Sequence, residues 1–157
     1  MTPLEEKEFY WGAAIAAHQV EGGNRNDWTD WEARTAELRV KKARGKVWPE
    51  FILKNYPSPL DEETYVSGKA ADHYHRFRGD FDLARGIGLN AFRFSIEWSR
   101  IEPEEGQFDK KEIEHYREVL RALRERGIEP FVTLWHWTLP IWVVRHGGWK
   151  SRKTIFH

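Results

Sequence analysis

The chain has 157 residues, enough for one domain with a substantial core. Lys plus Arg and Asp plus Glu each number 25, so the chain has no net charge, which argues against a nucleic-acid-binding or strongly membrane-attracted protein. There is no Cys, which excludes a disulfide framework and any Cys-based metal site.

Nine Trp, five Tyr and nine Phe point to a large aromatic core, with some of the Trp lining a carbohydrate cleft. Residues 1–10 have neither a basic stretch nor a long apolar one, so no signal peptide is expected. No apolar run approaches membrane-spanning length. The expected location is cytoplasmic.

Residues 9–14 are small, apolar and aromatic and read as a short buried strand, with Gly12 permitting close backbone approach. Gln19 to Asn24 reads as a loop. Asp27 is placed to cap a short helix through Trp28, Trp31 and Arg34. The basic stretch 34–46, with Lys41, Lys42, Arg44 and Lys46, reads as a solvated helix or loop, and 55–59 as a loop. Ser67 is the expected N-cap of a helix whose apolar face is Tyr74, Phe77, Phe81 and Ala84, ended by Gly86 and Gly88.

Residues 90–97 read as a strand, with Phe92, Phe94 and Ile96 on one face and Arg93, Ser95 and Glu97 on the other. Asp109 and Glu112 have capping-box spacing before a helix whose apolar face is Ile113, Tyr116, Leu120 and Leu123, stopped by Gly127. The β-branched and apolar run 131–135 reads as a buried strand. A further helix begins at Pro140 and is broken at Gly147 and Gly148. Alternating strands and helices predict right-handed βαβ units and a parallel sheet.

In such architectures ligands bind at the carboxyl ends of the strands. Gln19, Glu97 and His136 fall there, and Trp137 adjoins His136. Gln and His each offer a donor and an acceptor, which sugar hydroxyls need, and an indole suits the C–H face of a sugar. Arg93 lies mid-strand on the polar face and needs a carboxylate partner, for which the chain offers no obvious candidate. Glu97 shares that face but is too close along the strand. His73 and His75 are two apart on a helix, where side chains diverge, so no metal site is expected. Glu102, Glu104 and Glu105 read as solvated acid.

Four ordered blocks then resemble glycoside hydrolase family 1, the β-glucosidase and β-galactosidase family. They are Phe9-Tyr-Trp-Gly-Ala-Ala-Ile-Ala-Ala-His-Gln-Val-Glu-Gly22, Ser67-Gly-Lys-Ala-Ala-Asp-His-Tyr-His-Arg76 and Ala91-Phe-Arg-Phe-Ser-Ile-Glu-Trp-Ser-Arg-Ile101. The fourth is Pro130-Phe-Val-Thr-Leu-Trp-His-Trp-Thr-Leu-Pro140 with Gly147-Gly-Trp149. The resemblance implies an α/β fold, a (β/α)₈ barrel, and retaining exo-glycosidase activity on a small oligosaccharide or β-glycoside without a cofactor. It implies that Gln19 and His136 bond hydroxyls of the first sugar, that Trp137 contacts the same sugar, and that Arg93 supports the nucleophilic carboxylate. Thr138 stands where the family more often has Asp, a departure expected to affect local bonding and not the chemistry. The basic segment between Arg34 and Lys54 departs from the commoner spacing and is expected to reshape the aglycone entrance.

Retaining hydrolysis uses two carboxyl groups about 5–5.5 Å apart. The family carries them in a Thr-x-Asn-Glu-Pro motif and an Ile/Val-Thr-Glu-Asn-Gly motif, and neither occurs in this sequence. A barrel of this type takes about 250 residues. Residues 1–157 are therefore expected to be the N-terminal portion of one barrel, three βα units with an elaborated loop after the first strand, and catalytically inactive alone. A non-catalytic sugar-binding or assembly module is the alternative. A small hydrolase using Glu97 is a third reading, weakened by the lack of a second strand-end carboxylate. The open sheet edge predicts self-association, with helices on one side only, Trp135, Trp137 and Trp142 at the uncovered edge, and Arg93 and Glu97 exposed on the other side.

Overall fold

The computed structural model describes residues 9–55 and 57–157. Most of the segment 1–10, read as lacking a signal peptide, and Tyr56 in the 55–59 loop lie outside them. In chain order the elements are β1 (Gly12–Ala14), α1 (Ala17–Val20), α2 (Asp27–Arg44), α3 (Glu50–Lys54), α4 (His73–Gly86), β2 (Ala91–Ser95), α5 (Trp98–Ile101), α6 (Lys110–Glu125), β3 (Glu129–Thr133), α7 (Ile141–Arg145) and α8 (Arg152–Ile155). Short 3₁₀ turns occupy Glu62–Tyr65 and Gly148–Lys150. No helix among the described residues is long and apolar enough to cross a membrane.

The three strands form one parallel sheet in the order β1-β2-β3, with Gly12 opposite Ala91 and Arg93 opposite both Ala14 and Phe131. Gly12 is required by proximity: a Cβ there would stand 2.7 Å from the carbonyl oxygen of Ala91. The core lies on one face of the sheet. Phe77, Phe81 and Ala84 of α4, Phe92 and Phe94 of β2, and Tyr116, Val119, Ala122 and Leu123 of α6 close on one another there. Phe81 and Leu123 are fully buried, and each contributes about 1.5–3 kcal/mol by leaving water. The parallel sheet with α4 and α6 packed on one face is what the alternation of elements predicted, and it is consistent with the partial (β/α)₈ barrel that the resemblance implies.

Several boundaries moved. The first strand is only Gly12–Ala14, and Phe9, Tyr10 and Trp11 are exposed instead of buried. The last strand starts two residues early, at Glu129, and is also largely exposed because it has no neighbour on its outer side among the described residues. Apolar composition signals a buried strand only when the covering layer is present. Gln19 sits on the short helix α1, not in a loop.

Asn26, not Asp27, caps α2: its side chain accepts from the N–H groups of Trp28 and Thr29. The helix then runs 18 residues, absorbing the basic stretch on its solvent side, with Ala36, Val40 and Ala43 inward. Ser67 does not cap α4; Asp72 does so by position, without a side-chain cap bond, and the inward face is His73, Phe77, Phe81 and Ala84. Only half of the capping box of α6 forms. Asp109 accepts from Lys111 and Glu112, while the carboxylate of Glu112 turns away to accept from the hydroxyl of Tyr74.

Candidate functional site

At the carboxyl end of the sheet, the segments that follow the strands enclose a cavity of about 210 Å³. Gln19, His136 and Trp137, singled out from the sequence, line it together, and His18, Trp28 and Thr138 complete the wall. They come from α1, α2 and the loop after β3, so the cavity exists only when all three are assembled.

Each wall residue has a local cause. The short helix α1 presents Gln19 outward while burying Ala17 and His18. It is seated on β2, since the Ala17 N–H donates to the Ser95 hydroxyl at 2.8 Å. His18 packs edge-on against Trp28, with ring centroids 5.7 Å apart. Trp137 holds a left-handed backbone conformation at φ 73, rare for a bulky residue. The residue is 68% exposed and stands at the cavity wall.

No carboxylate pairs with Arg93 among the described residues; its guanidinium meets an imidazole instead. Its Nη1 donates to Nδ1 of His136 at 3.3 Å. A guanidinium has no acceptor, so Nδ1 must carry the lone pair, and Nε2 of the imidazole then carries the proton as a hydrogen-bond donor. Arg93 is half-buried, not widely exposed.

Glu97 departs further from expectation. It is 1% exposed and caps α5, accepting from the N–H of Ser99 at 3.4 Å and its hydroxyl at 2.8 Å. Asn26 Nδ2 donates to it at 3.2 Å, and the Thr138 hydroxyl at 3.0 and 3.2 Å. The polar face of β2 turns inward at this point because α5 and the N-terminus of α2 cover it. Glu97 does not line the cavity, which removes the reading in which it acts as the acid of a small hydrolase.

His18 is fixed by the same cluster. The oxygen of the Asn26 amide is committed to the backbone of α2, so its nitrogen donates both to Glu97 and to His18 Nδ1, the latter at 3.3 Å. Nδ1 of His18 is thus the acceptor, and Nε2–H donates to Glu32 at 3.1 Å. Burial raises the carboxyl of Glu32, but the bonds from Ser67 and His18 outweigh it and hold the group below its ordinary value. Asn26, His18 and Glu32 had no periodic signature in the sequence. Only their place beside Gln19 and at a helix start marks them.

Behind this cluster Glu21 is buried, and loss of water pushes its carboxyl up to about 7 against the pull of Arg100, which donates to it at 3.0 Å. The Tyr116 hydroxyl accepts from the Glu97 N–H at 3.0 Å and donates to Glu21 at 2.8 Å. Burial drives the Tyr116 phenol well above its usual range.

The remaining acidic and imidazole groups sort differently. Glu102 is buried, not solvated. It accepts from Trp98 Nε1 at 2.9 Å, from the Gly106 N–H at 2.7 Å and pairs with His157, whereas Glu104 and Glu105 remain exposed. Trp142, expected at the uncovered edge, is instead buried, and its Nε1 donates to the Glu102 carbonyl. His73 and His75 diverge as helical spacing requires, to Asp80 and Asp72 respectively, each at 2.7 Å. No group of side chains able to hold a metal ion occurs among the described residues.

Comparison with known proteins places this geometry in a family. The model of "Glycosyl hydrolase family 1" matches residues 4–157. Beta-glucosidase A of Acetivibrio thermocellus is 35% identical over 150 residues, covering 94% of this chain and 30% of that protein. Beta-glucosidase A of Thermotoga maritima is 34% identical, covering 92% of this chain and 29% of its own length. Among solved structures, a beta-glycosidase from Pyrococcus horikoshii superposes with a TM-score of 0.73 at 37% identity, covering 95% of this chain and 29% of that one. Thermotoga maritima beta-glucosidase in complex with castanospermine gives 0.68 at 31% identity, covering 94% and 30%. The chain spans about 30% of the length of these relatives. A family match that runs nearly from end to end, over a partial barrel of the same architecture, establishes that the chain belongs to glycosyl hydrolase family 1.

Proposed function

We propose that this chain forms the sugar-recognising wall of a retaining β-glycosidase of the β-glucosidase and β-galactosidase type. The observation that carries the reading is the convergence of Gln19, His136 and Trp137 on one cavity at the carboxyl end of a parallel sheet. The Nε2–H of His136 donates to a hydroxyl, the Gln19 amide offers a donor and an acceptor, and Trp137 covers the C–H face. Arg93 holds His136 and, in the complete barrel, supports the nucleophilic carboxylate. The likeness to a β-glucosidase solved with castanospermine supports a small polyhydroxylated ligand.

The two reacting carboxylates enter from strands beyond this segment, so residues 1–157 alone do not hydrolyse glycosides. The test joins the segment to the remaining two thirds of a barrel, taken from Thermotoga maritima beta-glucosidase A. Aryl β-glucosides and β-galactosides are then assayed with the complete barrel and with the 157-residue chain. Turnover with retained anomeric configuration only in the complete barrel is expected. Turnover by the chain alone overturns the division of labour, and sugar binding with an inert complete barrel favours the non-catalytic module.

A further inference from the structure

We propose that Glu97 is the positioning residue of the cavity: a buried carboxylate that sets Trp137 through Thr138 and His18 through Asn26. It supplies, from the turn between β2 and α5, the carboxylate that the resemblance would place at position 138. This rests on the cavity being the sugar site.

Trp137 poses the problem that Glu97 solves. A tryptophan that is 68% exposed is not held by packing, and a φ of 73 persists only where its surroundings over-determine it. The following residue provides that restraint. Every polar atom of Thr138 is engaged: its N–H donates to the His136 carbonyl at 3.0 Å, its carbonyl accepts from Trp135 Nε1 at 3.0 Å, and its hydroxyl donates to Glu97. Leu139 and Asp27 then exchange two bonds, N–H to carboxylate at 2.8 Å and N–H to carbonyl at 3.0 Å, which lock this loop to the start of α2. Of the restraints on Thr138, the bond to Glu97 is the one that reaches out of the loop to the turn after β2.

The other arm of Glu97 reaches the opposite wall. Asn26, wholly buried, is oriented by its cap of α2 and donates to both Glu97 and His18, so the carboxylate holds in place the amide that meets the imidazole. Glu97 thus ties α2, α5 and the loop after β3 to the end of β2, and the two cavity walls share one anchor.

The chemistry also accounts for Thr138. An Asp at that position would bring a second carboxylate against Glu97 in a site closed to water, and like charges in contact cannot both be satisfied there. A hydroxyl donates where a carboxylate cannot. Positions 97 and 138 therefore form one unit that tolerates one carboxylate, placed on either side.

The experiment is a double-mutant cycle in the complete barrel, comparing Thr138→Asp, Glu97→Gln and the pair, with urea unfolding and steady-state kinetics on 4-nitrophenyl β-D-glucoside. Thr138→Asp is expected to raise KM at least about tenfold and to lower the urea midpoint, with kcat changed less. Glu97→Gln is expected to restore both in the Thr138→Asp background, because the new amide donates to the new carboxylate. Additive effects, or a pair no better folded than Thr138→Asp alone, overturn the proposal. If no protein in the cycle acts on the glucoside, the glycosidase reading fails, while the unfolding arm still reports whether positions 97 and 138 are coupled.

Discussion

Arg93 donates to His136 across 3.3 Å, joining the middle of β2 to the loop that follows β3. A permanent cation thereby fixes which imidazole nitrogen faces the cavity. The residue read from sequence as lacking a carboxylate partner bonds one of the residues read as binding sugar.

Arg93 is therefore expected to have two separable effects in the complete barrel. Arg93→Ala removes a positive charge near the nucleophile and raises its pKa, so the acidic limb of the pH–rate profile moves up. It also frees His136 to take the other tautomer and lowers kcat/KM. A pH–rate profile with an unmoved acidic limb assigns Arg93 to His136 alone.

Gln19→Ala and His136→Ala should each lower kcat/KM by roughly one to three orders of magnitude, because each leaves a sugar hydroxyl without its partner. Neither change should lower the melting temperature much, since Gln19 is exposed and His136 only half-buried. Steady-state kinetics beside a thermal melt separates the two effects.

Glu21 predicts a pH dependence of stability. Its carboxyl rises from 4.5 in the unfolded chain to about 7 in the folded one, so the folded state binds more protons between these values. Stability is then highest below about 4.5 on this account and is lost as pH rises toward 7, by on the order of 3 kcal/mol. Glu21→Gln should flatten that slope. Urea unfolding at pH 5, 6 and 7 measures it, and identical slopes in both proteins would remove Glu21 as the source.

The 157-residue chain on its own should self-associate. Leu134 and Trp135, just past β3, are 77% and 40% exposed, and Phe131 and Val132 are also uncovered along β3, which has an unpaired edge among the described residues. Leu134→Glu should weaken the association. Light scattering with calorimetry checks this, and a strictly monomeric sample with a sharp cooperative melt would show that the three-stranded piece is a competent domain.

The sequence by itself determined the periodic part of this protein. Phe77, Phe81 and Ala84, then Tyr116, Leu120 and Leu123, repeat at helical spacing and fixed two helices, and Phe92 and Phe94 alternate and fixed the central strand, because periodicity is a local property of the chain. The four family blocks likewise marked Gln19, His136 and Trp137, which the fold brings to one cavity. Only the tertiary structure decided which polar residues are buried and with whom. Glu97 reads as an exposed strand-end acid and Glu102 as a solvated one, and Phe9 and Phe131 resemble core. Their burial is set by elements far away in sequence: Asn26 and Thr138 for Glu97, Trp142 and His157 for Glu102, and for β3 the absence of any covering strand among the described residues. Whether a side chain is buried depends on what covers it, and that information lies in other parts of the chain.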